Sequence, residues 1–154
     1  MKRTLLKSGV AAIALVLVLL SGCAAVTGAD TGPSVKIVIP SERSVAVGLH
    51  GGGTVMVAVD VENFVLTDEP GLPNEPGEGH IHYFMDVPAP QEPGRPAVTQ
   101  KGTYGDTADT AYYWPEPEYG THTFSVELVN NDHTPLDPPV VDSVTVTTDD
   151  IEIG

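Results

Sequence analysis

The segment from Thr54 to Leu66 carries the most regular pattern in the chain. Four valines, Val55, Val57, Val59 and Val61, alternate there with polar or smaller residues. Successive side chains of a β-strand point to opposite faces of a sheet, so this alternation predicts a strand with one buried face. We expect this strand to form the middle of the hydrophobic core.

Six further segments are short, apolar or rich in β-branched and aromatic residues, and separated by turns that contain glycine and proline. The sequence contains no amphipathic helix of useful length and no internal repeat. About seven short strands predict an all-β fold, an immunoglobulin-like antiparallel β-sandwich, and a jelly roll or other Greek-key barrel fits the same pattern. The predicted strands are Val35–Ile39, continued by Ser44–Leu49 as a broken edge, and then Thr54–Leu66, His80–Asp86, Ala108–Trp114, Thr121–Val129 and Val140–Thr147.

The N-terminus has the pattern of a secretory signal. Three basic residues precede a twelve-residue apolar block, Gly9 to Leu20, which is too short to span a membrane as a helix. The sequence Leu20-Ser21-Gly22-Cys23 that follows resembles the lipobox of bacterial lipoproteins. The resemblance implies cleavage before Cys23, acylation of this residue, and an extracytoplasmic protein anchored to the membrane. The alternative is an ordinary signal peptide with a stray cysteine, although no second cysteine exists to pair with it.

The sequence therefore divides into three parts. Residues 1–22 are the predicted signal peptide, residues 23–34 the lipidated cysteine and a flexible tether, and residues 35–150 the β-sandwich domain. A coil of about 11 residues, such as 24–34, reaches roughly 20 Å. The 132 residues that remain after cleavage (154 − 22) suit one domain.

The chain is strongly acidic. Its formal net charge is −14, and removal of the three basic signal residues leaves 4 basic (7 − 3) against 21 acidic residues, or −17. Such a surface repels nucleic acid and anionic lipid headgroups. Neither is an expected partner, and the expected contact with the membrane is through the lipid on Cys23.

Two histidines, His80 and His82, lie two residues apart in a predicted strand, so their side chains share one face of the sheet. In an immunoglobulin-like sandwich the third and sixth strands are antiparallel neighbours, so the start of one lies beside the end of the other. This arrangement predicts that His133, with Asp132 beside it, lies close to the pair. His122 lies about eight residues before the end of the sixth strand, roughly 25 Å away at the other end of the sheet.

The chemistry of these residues predicts a metal site. Three neutral imidazoles with a carboxylate or water suit zinc or cupric ion, whereas calcium prefers oxygen ligands. The candidate ligands are His80, His82 and His133, with Asp132 and His122 as secondary candidates. The alternative is structural: the pair lies on a solvated sheet face, or forms hydrogen bonds to Asp86 and Asp132 that brace the loops. His50, before a glycine turn, is expected on the surface.

Three segments in this order resemble a family of exported bacterial domains of unknown function. They are Gly79-His80-Ile81-His82 through Asp86, Gly120-Thr121-His122-Thr123-Phe124, and Asp132-His133-Thr134-Pro135. The resemblance covers roughly residues 77–147 and implies an extracytoplasmic β domain, but no activity. The second segment also resembles the sixth strand of bacterial immunoglobulin-like modules. His122 stands there in place of a corner tyrosine, and the resemblance implies that its ring forms hydrogen bonds with nearby backbone.

Two functions from different classes follow. The first is a membrane-anchored protein that captures or buffers copper or zinc outside the cytoplasm. The second is an immunoglobulin-like module that binds a protein or glycan, or acts as a spacer, with structural histidines. A hydrolase is not expected, since the sequence has no Gly-x-Ser-x-Gly or His-Glu-x-x-His motif. Only a zinc hydrolase with an open coordination position at the three histidines fits the residues present.

Overall fold

The computed structural model describes residues 32–41, 45–48, 54–68, 71–115 and 117–150. The predicted signal peptide, Cys23, most of the tether and His50 lie outside these ranges. No helix of a length and hydrophobicity sufficient to cross a membrane occurs within them.

The described residues form nine strands in two sheets. The smaller sheet has the order β1-β3-β7, and the larger has the order β2-β9-β8-β5-β4, with β6 also paired to β5. The strands are β1 (Ser34–Ile39), β2 (Val45–Gly48), β3 (Thr54–Glu62), β4 (Val65–Leu66), β5 (Glu78–Met85), β6 (Tyr104–Thr107), β7 (Ala111–Pro115), β8 (Gly120–Val129) and β9 (Pro135–Asp150).

The order of the strands is that of an immunoglobulin-like sandwich. Six strands remain when the short strands β2, β4 and β6 are set aside. Of these six, β1, β3 and β7 form one sheet, and β5, β8 and β9 form the other. Strand β5 is antiparallel to β8, as predicted, with His80 opposite Val129 and Met85 opposite Phe124. The predicted fold class is confirmed.

The core lies between the two sheets. The valines of β3 that were predicted to be buried, Val55, Val57 and Val59, pack there against the inner face of the larger sheet. Their partners on β5 are Ile81 and Tyr83. The prediction of a central, half-buried strand from the alternating valines is therefore confirmed for residues 54–62.

The predicted strand Thr54–Leu66 is interrupted. Strand β3 ends at Glu62, and Asn63 has a φ of 56°. Asparagine tolerates this left-handed conformation better than most residues. The conformation turns the chain away from its pairing with the neighbouring strand. Val65 and Leu66 then pair with the start of β5 in a parallel direction, as the short strand β4.

The proline-rich segment between β5 and β6 forms no strand, as predicted, and covers the outer face of the larger sheet. Ala89 and Ala97 from this segment form a second apolar cluster with Phe84 of β5 and Val129 of β8. This face of the sheet is therefore buried, although it points away from the main core. The side chains of β5 that point to this face include His80 and His82.

Candidate metal centre

His80 and His82 project from the outer face of β5, because Ile81 and Tyr83 between and after them face the core. The two histidines are 3% and 0% exposed. The alternative prediction of a solvated sheet face is therefore wrong. Burial follows from the proline-rich cover, which carries no periodic pattern that could reveal it in the sequence.

His133 lies in the tight turn between β8 and β9. Its amide donates to the Asn130 carbonyl at 2.9 Å, and the Asn130 amide donates to the Thr134 carbonyl at 2.9 Å. His133 has a φ of 65°, the left-handed conformation that follows a type I turn in short β-hairpin loops. This turn directs the imidazole back towards the start of β5.

The turn is fixed by the loop that precedes β5. The buried Asn131 side chain donates to the Pro73 carbonyl at 3.1 Å and to the Glu78 carboxylate at 3.2 Å. The Thr67 hydroxyl donates to the Asn131 side-chain oxygen at 3.1 Å. Residues before β5 and at its first position thus hold the turn in place.

The three imidazoles converge on one point. His80 Nε2 lies 3.2 Å from His82 Nε2 and 3.0 Å from His133 Nδ1, and the His82 and His133 atoms are 3.0 Å apart. Zinc binds histidine nitrogen at about 2.0–2.1 Å, so an ion equidistant from this triangle would lie about 1 Å outside its plane. The nitrogen–metal–nitrogen angles would be about 97°, which leaves one side open for water or another ligand.

The His82 ring is held in the form that binds metal. Its Nδ1–H donates to the Ala97 carbonyl at 2.6 Å, which leaves the Nε2 lone pair directed at the triangle. Burial is the main reason that the pKa of His82 falls to about 4, although the hydrogen bond to Ala97 opposes it. Burial, followed by the charge of His133, also lowers the pKa of His80. Both rings are therefore neutral at pH 7, as metal ligands must be.

Ala97 also contacts the third candidate ligand. The Ala97 amide donates to the His133 carbonyl at 2.7 Å, while its own carbonyl accepts from His82. One residue of the proline-rich cover thus holds the His82 ring and the backbone of His133.

Acidic groups surround the triangle. Asp106 of β6 lies directly opposite His82, and the negative charges of Asp106 and Asp68 partly offset the fall in the pKa of His80. Their field favours the approach of cations.

Glu127 was not predicted as part of the site. It lies opposite His82 on β8, is 0% exposed, and has no hydrogen-bond partner for either carboxylate oxygen among the described residues. Burial raises the pKa of this carboxyl to about 7. In the sequence, a glutamate within the strand Thr121–Val129 resembles a solvent-facing residue, but the predicted antiparallel pairing of this strand with the one that carries His82 was a signal that could have placed it near the site.

Asp132 is not among the converging groups. Its carboxylate accepts hydrogen bonds from the Thr134 hydroxyl at 2.6 Å and the Thr134 amide at 3.1 Å. Partial burial opposes a fall in its pKa, but these bonds outweigh burial and lower it. The group that could hold an ion among the described residues consists of His80, His82 and His133.

His122 lies near the opposite end of the sheet, opposite Val146, and its role is structural. Its Nδ1 lies 2.7 Å from the Asp86 carboxylate, and its Nε2 lies 2.6 Å from the Glu118 carbonyl. Both partners can only accept, so both ring nitrogens carry protons and the ring is an imidazolium. The bond to backbone four residues upstream is the one expected for a corner residue. Asp86 therefore braces His122, and not His80 or His82.

Comparison with known proteins adds a likeness in fold. No family model and no curated protein matches the chain. Among solved structures, the chain is similar to the fibronectin(III)-like modules of Clostridium thermocellum CbhA, with 16% identity and a TM-score of 0.47. The match covers 80% of this chain, which spans half the length of the matched chain.

Proposed function

We propose that this protein binds a zinc or copper ion outside the cytoplasm, through His80, His82 and His133. The observation that carries the proposal is the triangle of imidazole nitrogens with sides of 3.0–3.2 Å. Three lone pairs this close together repel one another unless a proton or a metal ion lies between them. Burial disfavours the charged, doubly protonated form of His80 and His82, and His82 carries its one proton on Nδ1, so a metal ion can accept all three lone pairs.

The surroundings support the same conclusion. The orientation of His82 is set by Ala97, and that of His133 by a turn that the loop before β5 holds. Hydrogen bonds that orient the ligands in this way are typical of metal sites and contribute to their affinity. Imidazole ligands suit zinc and copper, and copper binds more tightly at a given site of this type.

Calorimetric titration tests the proposal. The protein, purified in detergent from a bacterial host and stripped with chelator, is titrated with Zn²⁺ and Cu²⁺. We expect one ion per chain in the wild type and loss of this site in His82→Ala and His133→Asn. Asparagine tolerates the left-handed conformation of residue 133, so the turn is preserved. His50→Asn is the matched control and should bind as the wild type does; equal binding by all four proteins would contradict the proposal.

The proposed location depends on Cys23. We propose that this residue is acylated and anchors the domain to the extracytoplasmic side of a membrane, since several acyl chains anchor a protein stably. Labelled palmitate should be incorporated by the wild type and not by Cys23→Ser, and the variant should leave the membrane fraction. If the Cys23→Ser variant carried no label and still remained in the membrane fraction, the result would refute the lipid anchor.

A second candidate function is that of an immunoglobulin-like module that binds a glycan or protein. Two exposed aromatic side chains favour it, since Tyr113 and Tyr119 are 60% and 51% exposed. Aromatic rings of this kind are common at binding surfaces. Binding to cell-wall polysaccharide that survives chelator and is lost in a Tyr113→Ser, Tyr119→Ser variant would support this function. Equal binding by that variant would argue against it.

A further inference from the structure

Three of the four buried side-chain atoms that lack hydrogen-bond partners among the described residues belong to His80 and Glu127, at or beside the candidate metal centre. The four atoms are His80 Nδ1, Trp114 Nε1 and both carboxylate oxygens of Glu127. An unpartnered buried polar group costs folding free energy, and most native proteins avoid it. A whole carboxyl group without a partner therefore requires a physical explanation.

Strand pairing places Glu127 beside the site. Glu127 on β8 and His82 on β5 are directly opposite. The side chains of such a pair point to the same face of the sheet, with their Cβ atoms about 4.5–5.5 Å apart. The carboxyl group therefore occupies the same buried layer as the imidazoles, between the sheet and the proline-rich cover.

Among the residues that the structure describes, Glu127 is the only buried acidic side chain. The three imidazoles are neutral ligands. Asp106, which pairs with His82 from strand β6, is exposed. An ion bound by neutral ligands alone would bring its full charge into a buried layer. Burial of an uncompensated charge is expensive, and a carboxylate in the same layer reduces that cost.

We propose that Glu127 supplies the negative charge that compensates the bound ion, and that it gives the site a preference for divalent over monovalent cations. This inference rests on the proposed metal site. The Coulomb attraction between Glu127 and the ion is proportional to the charge of the ion. It therefore stabilises Zn²⁺ about twice as much, in free energy, as it stabilises Cu⁺ in the same position. Glu127 acts here as a charge-compensating residue that is not itself a ligand.

The experiment compares two ions in matched variants of the protein purified in detergent, at about pH 8, where the carboxyl group is ionised. Zn²⁺ affinity is measured by competition with a chromophoric chelator, and Cu⁺ affinity by competition with bicinchoninate under anaerobic ascorbate. In Glu127→Gln we expect Zn²⁺ affinity to fall about 10-fold or more, because the divalent ion loses the attraction of a nearby negative charge. The loss for Cu⁺ should be about the square root of the loss for Zn²⁺, because its charge is half as large. Glu127→Asp should recover most of the Zn²⁺ affinity.

Two further measurements separate this role from a purely structural one. Ser125→Ala, two residues away on the same face of β8, should leave both affinities unchanged. Unfolding of the metal-free proteins should show that Glu127→Gln is at least as stable as the wild type, because it removes the cost of ionising a buried carboxyl. Equal fold losses for the two ions, or no loss of Zn²⁺ affinity, would overturn the inference and leave the metal site intact. Absence of Zn²⁺ binding by the wild type would instead overturn the proposed function.

Discussion

At the scale of single residues, His133 holds a conformation that its side chain does not favour. Its φ of 65° is one that glycine adopts freely and that costs other residues about 1–2 kcal/mol. The turn between β8 and β9 would form more easily with glycine at this position. The imidazole that His133 contributes to the triangle gives a functional reason for the residue.

We therefore predict opposite effects of His133→Gly on stability and on binding. The free energy of unfolding of the metal-free protein should rise by up to about 1 kcal/mol, since glycine removes the conformational cost. Zinc binding should be lost. Urea unfolding and calorimetry measure the two quantities, and a loss of stability above about 1 kcal/mol would show that the imidazole contributes to folding itself.

His122 provides a prediction about pH. Although partial burial lowers the pKa of His122, hydrogen bonds to Asp86 and to the Glu118 carbonyl outweigh burial and raise it above 6.5. A raised pKa in the folded state means that the folded protein retains this proton as pH rises. The contribution of His122 to stability should be fully present below about pH 6.5 and lost as pH rises through the folded pKa.

The test of this prediction is the difference in unfolding free energy between the wild type and His122→Gln, measured from about pH 5 to pH 9. The difference isolates His122 from His80, His82 and Glu127, which also titrate. It should be largest at acidic pH and decrease on the alkaline side. A difference that grows with pH would contradict the protonated ring inferred from the two acceptors.

The site residues differ in how far the sequence reveals them. His80, His82 and His133 were predictable, because strand alternation and the pairing of the third and sixth strands both constrain their positions. Glu127 was not, because the residues that bury its face of the sheet belong to a proline-rich segment without periodicity. Burial of an outer sheet face depends on contacts distant in sequence, which a local pattern does not record.

At the scale of elements, the pairing of β5 with β8 brings two backbones unusually close at Gly79. A Cβ added to this glycine would overlap the carbonyl oxygen of Val129 and approach the Phe64 ring. The next residue along β5 is His80, so the absence of a side chain at Gly79 also determines where this imidazole lies.

Gly79→Ala should therefore weaken both the fold and the site. We expect a loss of roughly 2–4 kcal/mol in unfolding free energy, the range of effects that follow from steric overlap in a packed structure. Zinc affinity should fall as well, because β5 must move away from β8. Gly94→Ala is a suitable comparison, since a Cβ there has no atom within 4 Å and its effect should be limited to the strain of its positive φ. Equal destabilisation by the two variants would contradict this account.

The elements missed from the sequence were the short ones. Strand β6, Tyr104–Thr107, contains Gly105 and Asp106, which both disfavour strands in isolation. It forms because β5 offers a free edge, and because the Tyr112 ring packs where a side chain at Gly105 would stand. Tertiary pairing thus overrides local preference here, whereas the long strands β3, β5 and β8 were evident from their own sequences.

At the scale of the whole molecule, the candidate centre joins parts of the chain that are far apart in sequence. It involves strand β5, the turn between β8 and β9, and the proline-rich cover through Ala97. An ion that binds only the folded state stabilises the entire domain.

Zinc should consequently raise the melting temperature of the wild type. At a free concentration 100 times the dissociation constant, the stabilisation is about 2.7 kcal/mol. His133→Asn should show no such shift, and chelator should reverse it in the wild type. Hydrogen exchange at the Ala97 amide should slow on zinc binding. A shift of equal size in the variant would indicate binding elsewhere on this acidic chain.

The position of Gly32 has a consequence for how far the site lies from the proposed lipid anchor. Gly32 and Ser34 line the same cavity as Asn130 and Pro138, so the sandwich begins at the end where β8 turns into β9. The sequence predicts a tether that reaches roughly 20 Å between this end and a lipid on Cys23. In the proposed anchored protein, a tether of this length would keep the turn that carries His133 close to the lipid, while its flexibility would leave the domain free to rotate.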